Sequence, residues 1–378
     1  MSGERLGRAG DGGTWLPPFV DAHVHLGLVD PVAVRRGGIA VVHDLGWVPD
    51  VARTWPGRPG FPEVAFAGAF LTAPGGYPSD RSWAPPGSVE AVGSPEAAVA
   101  AVDRQVAVGV SFVKVALHAD AGPVPDDVTL AALVGHAHAR GRDVVAHVEG
   151  KGMAARAFEA GIDRLAHAPF SERLPDDLLA AMARPRDDHP GPDLSADDGL
   201  VAEHDPARRR ARPDGRKGPD NDPQVVFGGS RVSWVSTLDV HGWGSPTAQQ
   251  DVAIDNVRRF AALGGTVVYG TDLGNGPLPP GVNAHELRAL AAAGLDAHAL
   301  VAALTHDART LDDAAERCVP GRALRPGTQH SSADASLATW VPGDPPDPDD
   351  PDAVATWLAR AVVVERDATH PAPPEGRP

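Results

Sequence analysis

The sequence contains very little cysteine, few aromatic residues and no long apolar run. Cys318 is the single cysteine among 378 residues, so the chain cannot form an internal disulfide, which is typical of proteins in a reducing cytosol. No stretch approaches about 18 consecutive apolar residues, the length of a membrane-spanning helix. The first 15 residues also lack the apolar core of a signal peptide. These absences predict a cytoplasmic protein.

Basic residues are also scarce. The chain has 34 Lys and Arg against 50 Asp and Glu, a net charge of −16. Such a chain has no general attraction to phosphate backbones or anionic lipids, so the sequence predicts neither a nucleic-acid partner nor a membrane partner. The basic run Arg208–Arg210 lies near aspartates and is better explained as part of a solvated segment. The composition is otherwise globular, and we expect a small-molecule substrate; a homo-oligomer is compatible with it.

Short apolar runs and helical patterns alternate along the chain. Eight runs have the continuous apolar character of strands that are buried on both faces. They are Pro18–His23, Ile39–His43, Val64–Leu71, Ser111–Leu117, Asp143–Val148, Asp163–Ala168, Arg231–Leu238 and Thr266–Asp272. Helical patterns lie between most of them; one begins after Ser94, and another, Asp126–Arg140, ends at Gly141. Eight such parallel units over about 250 residues predict an α/β fold, a TIM (β/α)8 barrel.

Two segments have compositions that do not fit a barrel. Residues 185–229 are crowded with Asp, Pro, Arg and Gly and can bury little apolar surface, which predicts a disordered or lid-like insertion. Residues 343–352 (GDPPDPDDPD) predict a solvated, acidic and proline-rich tail. The predicted barrel is therefore interrupted once and followed by a polar extension.

A pair of histidines ends the first predicted strand. His23 and His25 are two positions apart, so on a strand both imidazoles point to the same side and can bind one ion. Neutral imidazole is a common ligand of zinc and related metals. An isolated pair of this kind is more often an ordinary surface or core feature. Its position at the carboxyl end of a barrel strand, where barrel active sites lie, favours a metal site.

Further polar residues end later predicted strands. His147 ends the fifth, His167 the sixth and Asp272 the eighth. Taken alone, each histidine is more simply explained as a core residue with a satisfied hydrogen bond. Asp272 alone is equally well explained as a metal ligand and proton carrier or as the N-cap of the following turn. Four imidazoles at one face of a barrel favour metal binding, because unpaired buried imidazoles are costly.

Lys114 lies in the middle of the fourth predicted strand, between residues that favour burial. A lysine there must pair, reach solvent or lose its proton, since burying an unpaired ammonium is expensive. One interpretation is an ion pair with a neighbouring carboxylate. The other is a neutral amine that has taken up carbon dioxide, giving a carbamate that bridges two metal ions. The nearby histidines favour the carbamate.

Together these residues resemble the metal-dependent amidohydrolase superfamily. The resemblance rests on Phe19-Val-Asp-Ala-His-Val-His25, Lys114, His147, His167 and Gly270-Thr-Asp272. Residues 31–46, 67–78 and 285–311 are similar to further segments of the family, and coverage extends over about residues 18–340. The resemblance is to the prolidase-like and imidazolonepropionase-like branch, in the form that has a bridging lysine and a binuclear site. Deaminases and imidazolonepropionases lack the bridging lysine, so Lys114 argues against both.

The resemblance implies a binuclear metal centre. Its implied ligands are His23, His25, Lys114, His147, His167 and Asp272. The first two histidines and Asp272 would bind the more buried ion, and the last two histidines the more exposed one. Carbon dioxide, held as a carbamate on Lys114, would bridge two divalent ions, Zn²⁺ in the first place, with Mn²⁺ or Fe²⁺ as alternatives. The ions would activate a hydroxide, and Asp272 would accept its proton and pass it to the leaving group.

The resemblance also has consequences for the domain organisation. Family members usually carry a β-sandwich part before the first barrel strand, whereas only 17 residues precede it here. This implies a truncated small β subdomain formed mainly by the C-terminal region. We therefore predict an N-terminal extension at 1–17, the barrel at 18–310, a residual β subdomain at 311–342 and the acidic tail at 343–378.

The implied function is metal-dependent hydrolysis of an amide bond, in a dipeptide or an N-acyl amino acid. Tyr77, Arg81, His118 and His241 follow strands on the predicted catalytic face and are candidate substrate contacts, with simple solvation as the alternative. Other functions stay open: a cyclic amide or lactone hydrolase, an aminohydrolase (deaminase) on the same barrel, or a non-catalytic metal-binding protein. Substrate choice resides in loops, so the sequence does not separate the hydrolases.

Overall fold

The structure is a computed structural model that describes residues 12–185, 232–306 and 336–366. The predicted insertion lies outside the described residues except for Pro185, and parts of the predicted β subdomain and tail lie outside them as well. Within the described ranges, no helix is both long enough and apolar enough to cross a membrane.

The described residues form an alternating series of strands and helices. The strands are β1 (Gly13–Leu16), β2 (Val20–Val24), β3 (Val41–Asp44), β4 (Glu63–Phe66), β5 (Phe70–Thr72), β6 (Val89–Ala91), β7 (Phe112–His118), β8 (Asp143–Glu149), β9 (Arg164–Leu165), β10 (Ser233–Val235), β11 (Val267–Val268), β12 (Ser336–Pro342) and β13 (Val362–Arg366). The helices are α1 (Pro31–Arg36), α2 (Pro49–Ala52), α3 (Pro95–Val108), α4 (Asp127–Ala139), α5 (Met153–Glu159), α6 (Asp176–Ala183), α7 (Ala248–Ala262), α8 (Ala284–Ala292), α9 (Ala297–Thr305) and α10 (Pro351–Leu358).

The strands between β2 and β11 are parallel, which confirms the predicted α/β class. Seven of them form one sheet in the order β11-β10-β9-β8-β7-β5-β6, and β2, β3 and β4 form another. Backbone hydrogen bonds connect the two sheets, from Ala22 N to Tyr269 O (3.0 Å) and from Ser111 N to Phe66 O (2.8 Å). Closure of these strands into one eight-stranded barrel stays a prediction.

Local sequence signals explain where the longer helices begin. The Ser94 hydroxyl accepts a hydrogen bond from Ala97 N (3.2 Å), and α3 ends before Gly109, which has a left-handed φ of 94°. The Asp126 carboxylate accepts one from Thr129 N (2.7 Å) at the start of α4. Such caps satisfy backbone donors that have no partner within the helix. Both helices therefore begin where the sequence predicts.

The third predicted strand differs from the observed structure. The run Val64–Leu71 forms two short strands, β4 and β5, instead of one. Gly68 separates them with a left-handed φ of 71°, a conformation outside the extended region of strands. The Gln105 side chain accepts a hydrogen bond from Ala69 N (3.1 Å) and holds this break.

The last predicted barrel strand is also shorter than expected. The run Thr266–Asp272 contributes only Val267–Val268 to the sheet. Asp272 has a left-handed φ of 57°, so the backbone is no longer extended at this residue. It stays next to β2 nevertheless, since Asp272 N donates a hydrogen bond to His23 O (2.9 Å).

A small antiparallel sheet combines the two ends of the described chain. Its strand order is β1-β12-β13, and Leu16 pairs with Thr339 between β1 and β12. The Thr339 hydroxyl also accepts a hydrogen bond from Phe19 N (3.0 Å), which ties this sheet to the start of β2. Two of the three strands come from the C-terminal region, although the predicted domain boundaries stay a prediction.

Candidate metal centre

Two histidines and an aspartate meet at the carboxyl end of β2. The Nε2 atoms of His23 and His25 lie 3.2 and 3.3 Å from Oδ1 of Asp272, and all three side chains are buried. Ligand atoms bound at about 2.0–2.1 Å to a tetrahedral zinc ion lie roughly 3.3 Å apart. The spacing of these three atoms therefore fits a shared cation.

Backbone carbonyls determine which nitrogen of each imidazole faces this point. Nδ1 of His23 lies 2.8 Å from Ala166 O, and Nδ1 of His25 lies 3.3 Å from Gly46 O. A carbonyl only accepts hydrogen bonds, so each Nδ1 carries the proton and each Nε2 keeps its lone pair. Burial lowers the pKa of His23 well below its usual value, which keeps this ring neutral. Both rings present the nitrogen that a metal ion requires.

A second pair of imidazoles lies beside the first. Nδ1 of His147 is 3.0 Å from Nε2 of His167, and the His167 ring centroid is 4.7 Å from that of His23. Nδ1 of His167 lies 3.0 Å from the Thr237 hydroxyl oxygen, which can accept a hydrogen bond from that nitrogen. Burial lowers the pKa of both rings, so both are neutral near pH 7. Two neutral ring nitrogens at this distance can bind one cation.

Lys114 lies on β7 and lines the same pocket as the two groups of ligand residues described above. Its side chain is only 1% exposed, and no acceptor among the described residues makes a hydrogen bond with Nζ. Burial lowers the pKa of this amine to about 7, against the opposing charges of Asp272 and Asp44. An amine with this pKa is largely neutral at mildly alkaline pH, the form that combines with carbon dioxide.

The buried polar atoms of this region test whether metal ions fit. Nε2 of His23, Oδ1 of Asp272 and Nζ of Lys114 are all buried without a hydrogen-bond partner in the described part of the chain. Such groups are costly to leave unpaired in a folded protein. Imidazole and carboxylate are suitable ligands for zinc, and a carbamate on Lys114 would add two oxygen atoms to the set. The residues present therefore fit a centre of divalent cations.

All six predicted ligands line one pocket of about 490 Å³. Of the four predicted substrate contacts, Tyr77 and His241 line this pocket as well. His118 and Arg81 do not line it. Nδ1 of His118 lies 3.3 Å from Oε2 of Glu149, and the Arg81 guanidinium lies 5.4 Å from the Tyr77 ring centroid. The structure thus brings the ligand residues together, and the roles of the four contacts stay predictions.

One charged residue of the pocket had no predicted role. Oε2 of Glu149 lies 3.4 Å from Nε2 of His147 and 3.3 Å from Nδ1 of His118. A proton on Nε2 of His147 would leave Nδ1 of the same ring free to bind a metal. Because Glu149 is two positions after His147 on β8, the alternation of strand side chains could have revealed it.

Aromatic side chains form much of the remaining wall. The Trp83 ring centroid lies 5.8 Å from that of Phe70 and 5.9 Å from that of His25, and the Tyr77 ring stacks on His147 at 5.0 Å. Trp243 lines the same pocket from another loop. The two tryptophans were not predicted, since isolated loop residues follow no periodic pattern.

Two buried carboxylates hold the backbone around the ligands. Asp21 accepts hydrogen bonds from Thr271 N (3.0 Å) and from the Thr271 hydroxyl (2.6 Å). Asp44 accepts hydrogen bonds from Leu26 N (2.7 Å) and Gly46 N (3.2 Å). Thr271 and Leu26 are the chain neighbours of Asp272 and His25, so these contacts fix the segments that carry both ligands.

Comparison with known proteins identifies the fold. The sequence matches no family model and no curated protein. Among solved structures, a Xaa-Pro dipeptidase with bound methionine has a TM-score of 0.61 at 16% identity, covering 93% of this chain and 86% of that chain. Ochratoxinase from A. niger has a TM-score of 0.58 at 16% identity, covering 93% and 82%. Molinate hydrolase has a TM-score of 0.54 at 14% identity, covering 93% and 83%. This chain therefore has the fold that these three structures share, over most of its length and most of theirs.

Proposed function

We propose that this chain is a metal-dependent hydrolase that cleaves an amide bond, in a dipeptide or an N-acyl amino acid, on a closed (β/α)8 barrel. The observation that carries the proposal is the meeting of four imidazoles, Asp272 and Lys114 around one pocket. Their unpaired buried atoms support a binuclear centre of divalent cations, with Zn²⁺ as the first candidate. The names of the similar structures support amide hydrolysis as the reaction class.

Individual residues of the chain have separate roles in hydrolysis. Divalent ions, when bound, lower the pKa of water and polarise the scissile carbonyl. The Asp272 carboxylate accepts the proton of the attacking water and then delivers it to the leaving nitrogen. The Asn275 amide donates a hydrogen bond to Oδ2 of Asp272 (2.8 Å) and holds the carboxylate in position. The Lys114 amine attacks carbon dioxide and releases one proton, which leaves an anionic carbamate.

Metal analysis and a substrate screen test this function together. We expect protein produced with zinc or manganese to contain about two ions per chain. The loaded protein should hydrolyse members of a library of dipeptides and N-acyl amino acids, while lactones, cyclic amides and ring amines serve as tests of the alternative reactions. Activity in protein free of metal, or turnover of lactones or ring amines alone, would contradict amide hydrolysis by a metal centre.

A further inference from the structure

Three residues other than glycine have a left-handed backbone in the described ranges, and all three lie at this pocket or beside its ligands. They are Thr237 (φ 43°), Trp243 (φ 47°) and Asp272 (φ 57°). This conformation is strained for a residue with a side chain and persists where surrounding contacts impose it, often at functional sites. Thr237 contacts His167, and Asp272 is a predicted ligand. Trp243 has no part in the proposed metal centre, so its strain needs another explanation.

Neighbouring residues hold Trp243 in this conformation. Its backbone N–H donates a hydrogen bond to Asp239 O (2.7 Å), and the next residue, Gly244, donates one to Oδ1 of Asp239 (2.7 Å). Asp239 is itself buried and accepts a hydrogen bond from the Asn283 amide (2.8 Å). A Cβ atom on Gly276 would lie 2.6 Å from the Trp243 ring, so the glycine leaves space for that ring.

About half of Trp243 is exposed to solvent. It is 52% exposed and lines the pocket. Burial of the ring in the protein core therefore does not explain why the backbone is strained. Trp83, Phe70 and Tyr77 supply further aromatic surface to the same pocket. Aromatic rings attract other rings in offset or edge-to-face contact more strongly than burial alone accounts for, so this wall favours an aromatic ligand.

We propose that Trp243 is a substrate-binding residue and that the pocket selects amides carrying a planar aromatic group. The inference rests on the proposed amide hydrolysis for its choice of substrate. In the bound state the aromatic group covers the exposed Trp243 ring, while the scissile amide faces the metal ligands. The strained backbone positions the ring before the substrate arrives, which reduces the ordering that binding would otherwise require.

Two pairs of neutral substrates test the preference. In the first pair, N-methyl-2-phenylacetamide is compared with N-methyl-2-cyclohexylacetamide, and the ring lies on the acyl side. In the second pair, N-benzylacetamide is compared with N-(cyclohexylmethyl)acetamide, and the ring lies on the amine side. In at least one pair we expect KM for the aromatic substrate to be about threefold to tenfold lower. The Trp243→Ala variant should lose this difference, and Trp243→Phe should keep most of it.

A matched variant and a binding measurement make the outcomes distinct. Leu263 is 49% exposed and is not a pocket residue, so Leu263→Ala should leave both KM ratios unchanged. Calorimetry on protein that carries Asp272→Asn, in which turnover is slow, measures the Kd of the same compounds. Hydrolysis without aromatic preference would overturn the inference and leave the proposed function standing. Trp243-dependent aromatic binding, without hydrolysis of these amides or of any dipeptide or N-acyl amino acid in the library, would do the reverse. Neither binding nor hydrolysis across both sets of compounds would overturn both.

Discussion

Lys114 combines deep burial with an amine that has no hydrogen-bond partner among the described residues. Replacing it with alanine removes the proposed bridging group, so we expect the bound metal to fall below two ions per chain and activity to be lost. Short carboxylic acids such as propionate should partly restore both by occupying the space of the carbamate. Lys114→Met, which keeps the apolar stem and fills that space, should not be rescued. A fully active Lys114→Ala protein would contradict the bridge.

Asp272 has a separate role that a second substitution isolates. Asp272→Asn keeps a side-chain oxygen beside His23 and His25 but removes the group that carries the proton. We expect kcat to fall by about 10²–10⁴-fold, the usual contribution of a general acid or base. Metal analysis of the same sample provides the control, because some bound metal should remain. Loss of activity in strict proportion to loss of metal would instead make Asp272 a ligand alone.

At this scale the sequence was most informative where residues end strands. The four histidines and Asp272 could be selected because the carboxyl ends of parallel strands meet on one face. Glu149 follows the same logic, because it lies two positions after His147 on β8, yet the sequence alone assigned it no role. Trp83 and Trp243 could not be selected, because their positions depend on loop conformations that periodicity does not encode.

Helix α8 carries a buried carboxylate that supports the loop after β10. Oε1 and Oε2 of Glu286 accept hydrogen bonds from Leu238 N (2.9 Å) and Asp239 N (2.7 Å), and burial raises the pKa of Glu286 to about 7. Because the folded pKa is above the unfolded value, this group stabilises the fold fully below about pH 4.5, and its contribution is lost as the pH rises through 7.

The Glu286→Gln variant tests this pH dependence. We expect the variant to be less stable than the wild type at pH 4.5, because one of the two hydrogen bonds is lost. Between pH 4.5 and 7 the wild type should lose up to about 3 kcal/mol more of its unfolding free energy than the variant. Urea unfolding at several pH values measures both curves. Parallel curves would show that Glu286 is ionised throughout this range.

Two glycines form a close contact between α1 and the segment before α8. Gly37 O accepts a hydrogen bond from Val282 N (2.9 Å), and a Cβ atom on Gly281 would collide with the Gly37 backbone. Gly281→Ala should therefore lose about 1–3 kcal/mol more stability than Gly141→Ala. Gly141 is the matched control, since it also has a positive φ but no atom within 4 Å of an added Cβ. Equal losses, measured by thermal or urea unfolding, would exclude a steric role for this contact.

Individual elements were predicted best where local signals agree. Ser94 and Asp126 mark helix starts because their caps depend only on residues three positions away. The prediction of a single strand over Val64–Leu71 was wrong, because a hydrogen bond to Gln105 on helix α3 stabilises the break at Gly68. A short stretch of sequence around Gly68 does not include Gln105, so it cannot show that the conformation of Gly68 is stabilised.

Metal binding should affect the stability of the whole molecule. The unpaired atoms at the centre are costly without a cation, so treatment with a chelator should lower Tm and added zinc should restore it. At a free metal concentration 100 times Kd, the expected stabilisation is about 2.7 kcal/mol for one site. A variant that lacks ligands, His23→Ala with His25→Ala, provides the control and should not respond. An equal Tm with and without metal in the wild type would contradict the proposed centre.

The overall architecture was predictable only in part. Alternating strands and helices identify the parallel α/β class, because each element has its own hydrophobic period. Strand β1 was not predicted, since Gly13–Leu16 is short and only half-buried. Its partner lies at the other end of the chain, and no local pattern identifies a pairing over that distance.

That pairing has a consequence for synthesis in the cell. Phe19 and Thr339, which join β1 and β12 to the start of β2, are 320 residues apart in the chain. During translation, β1 therefore emerges from the ribosome long before β12 has been synthesised. Until then the nascent chain carries an unpaired strand edge, a surface that molecular chaperones protect from association with other chains.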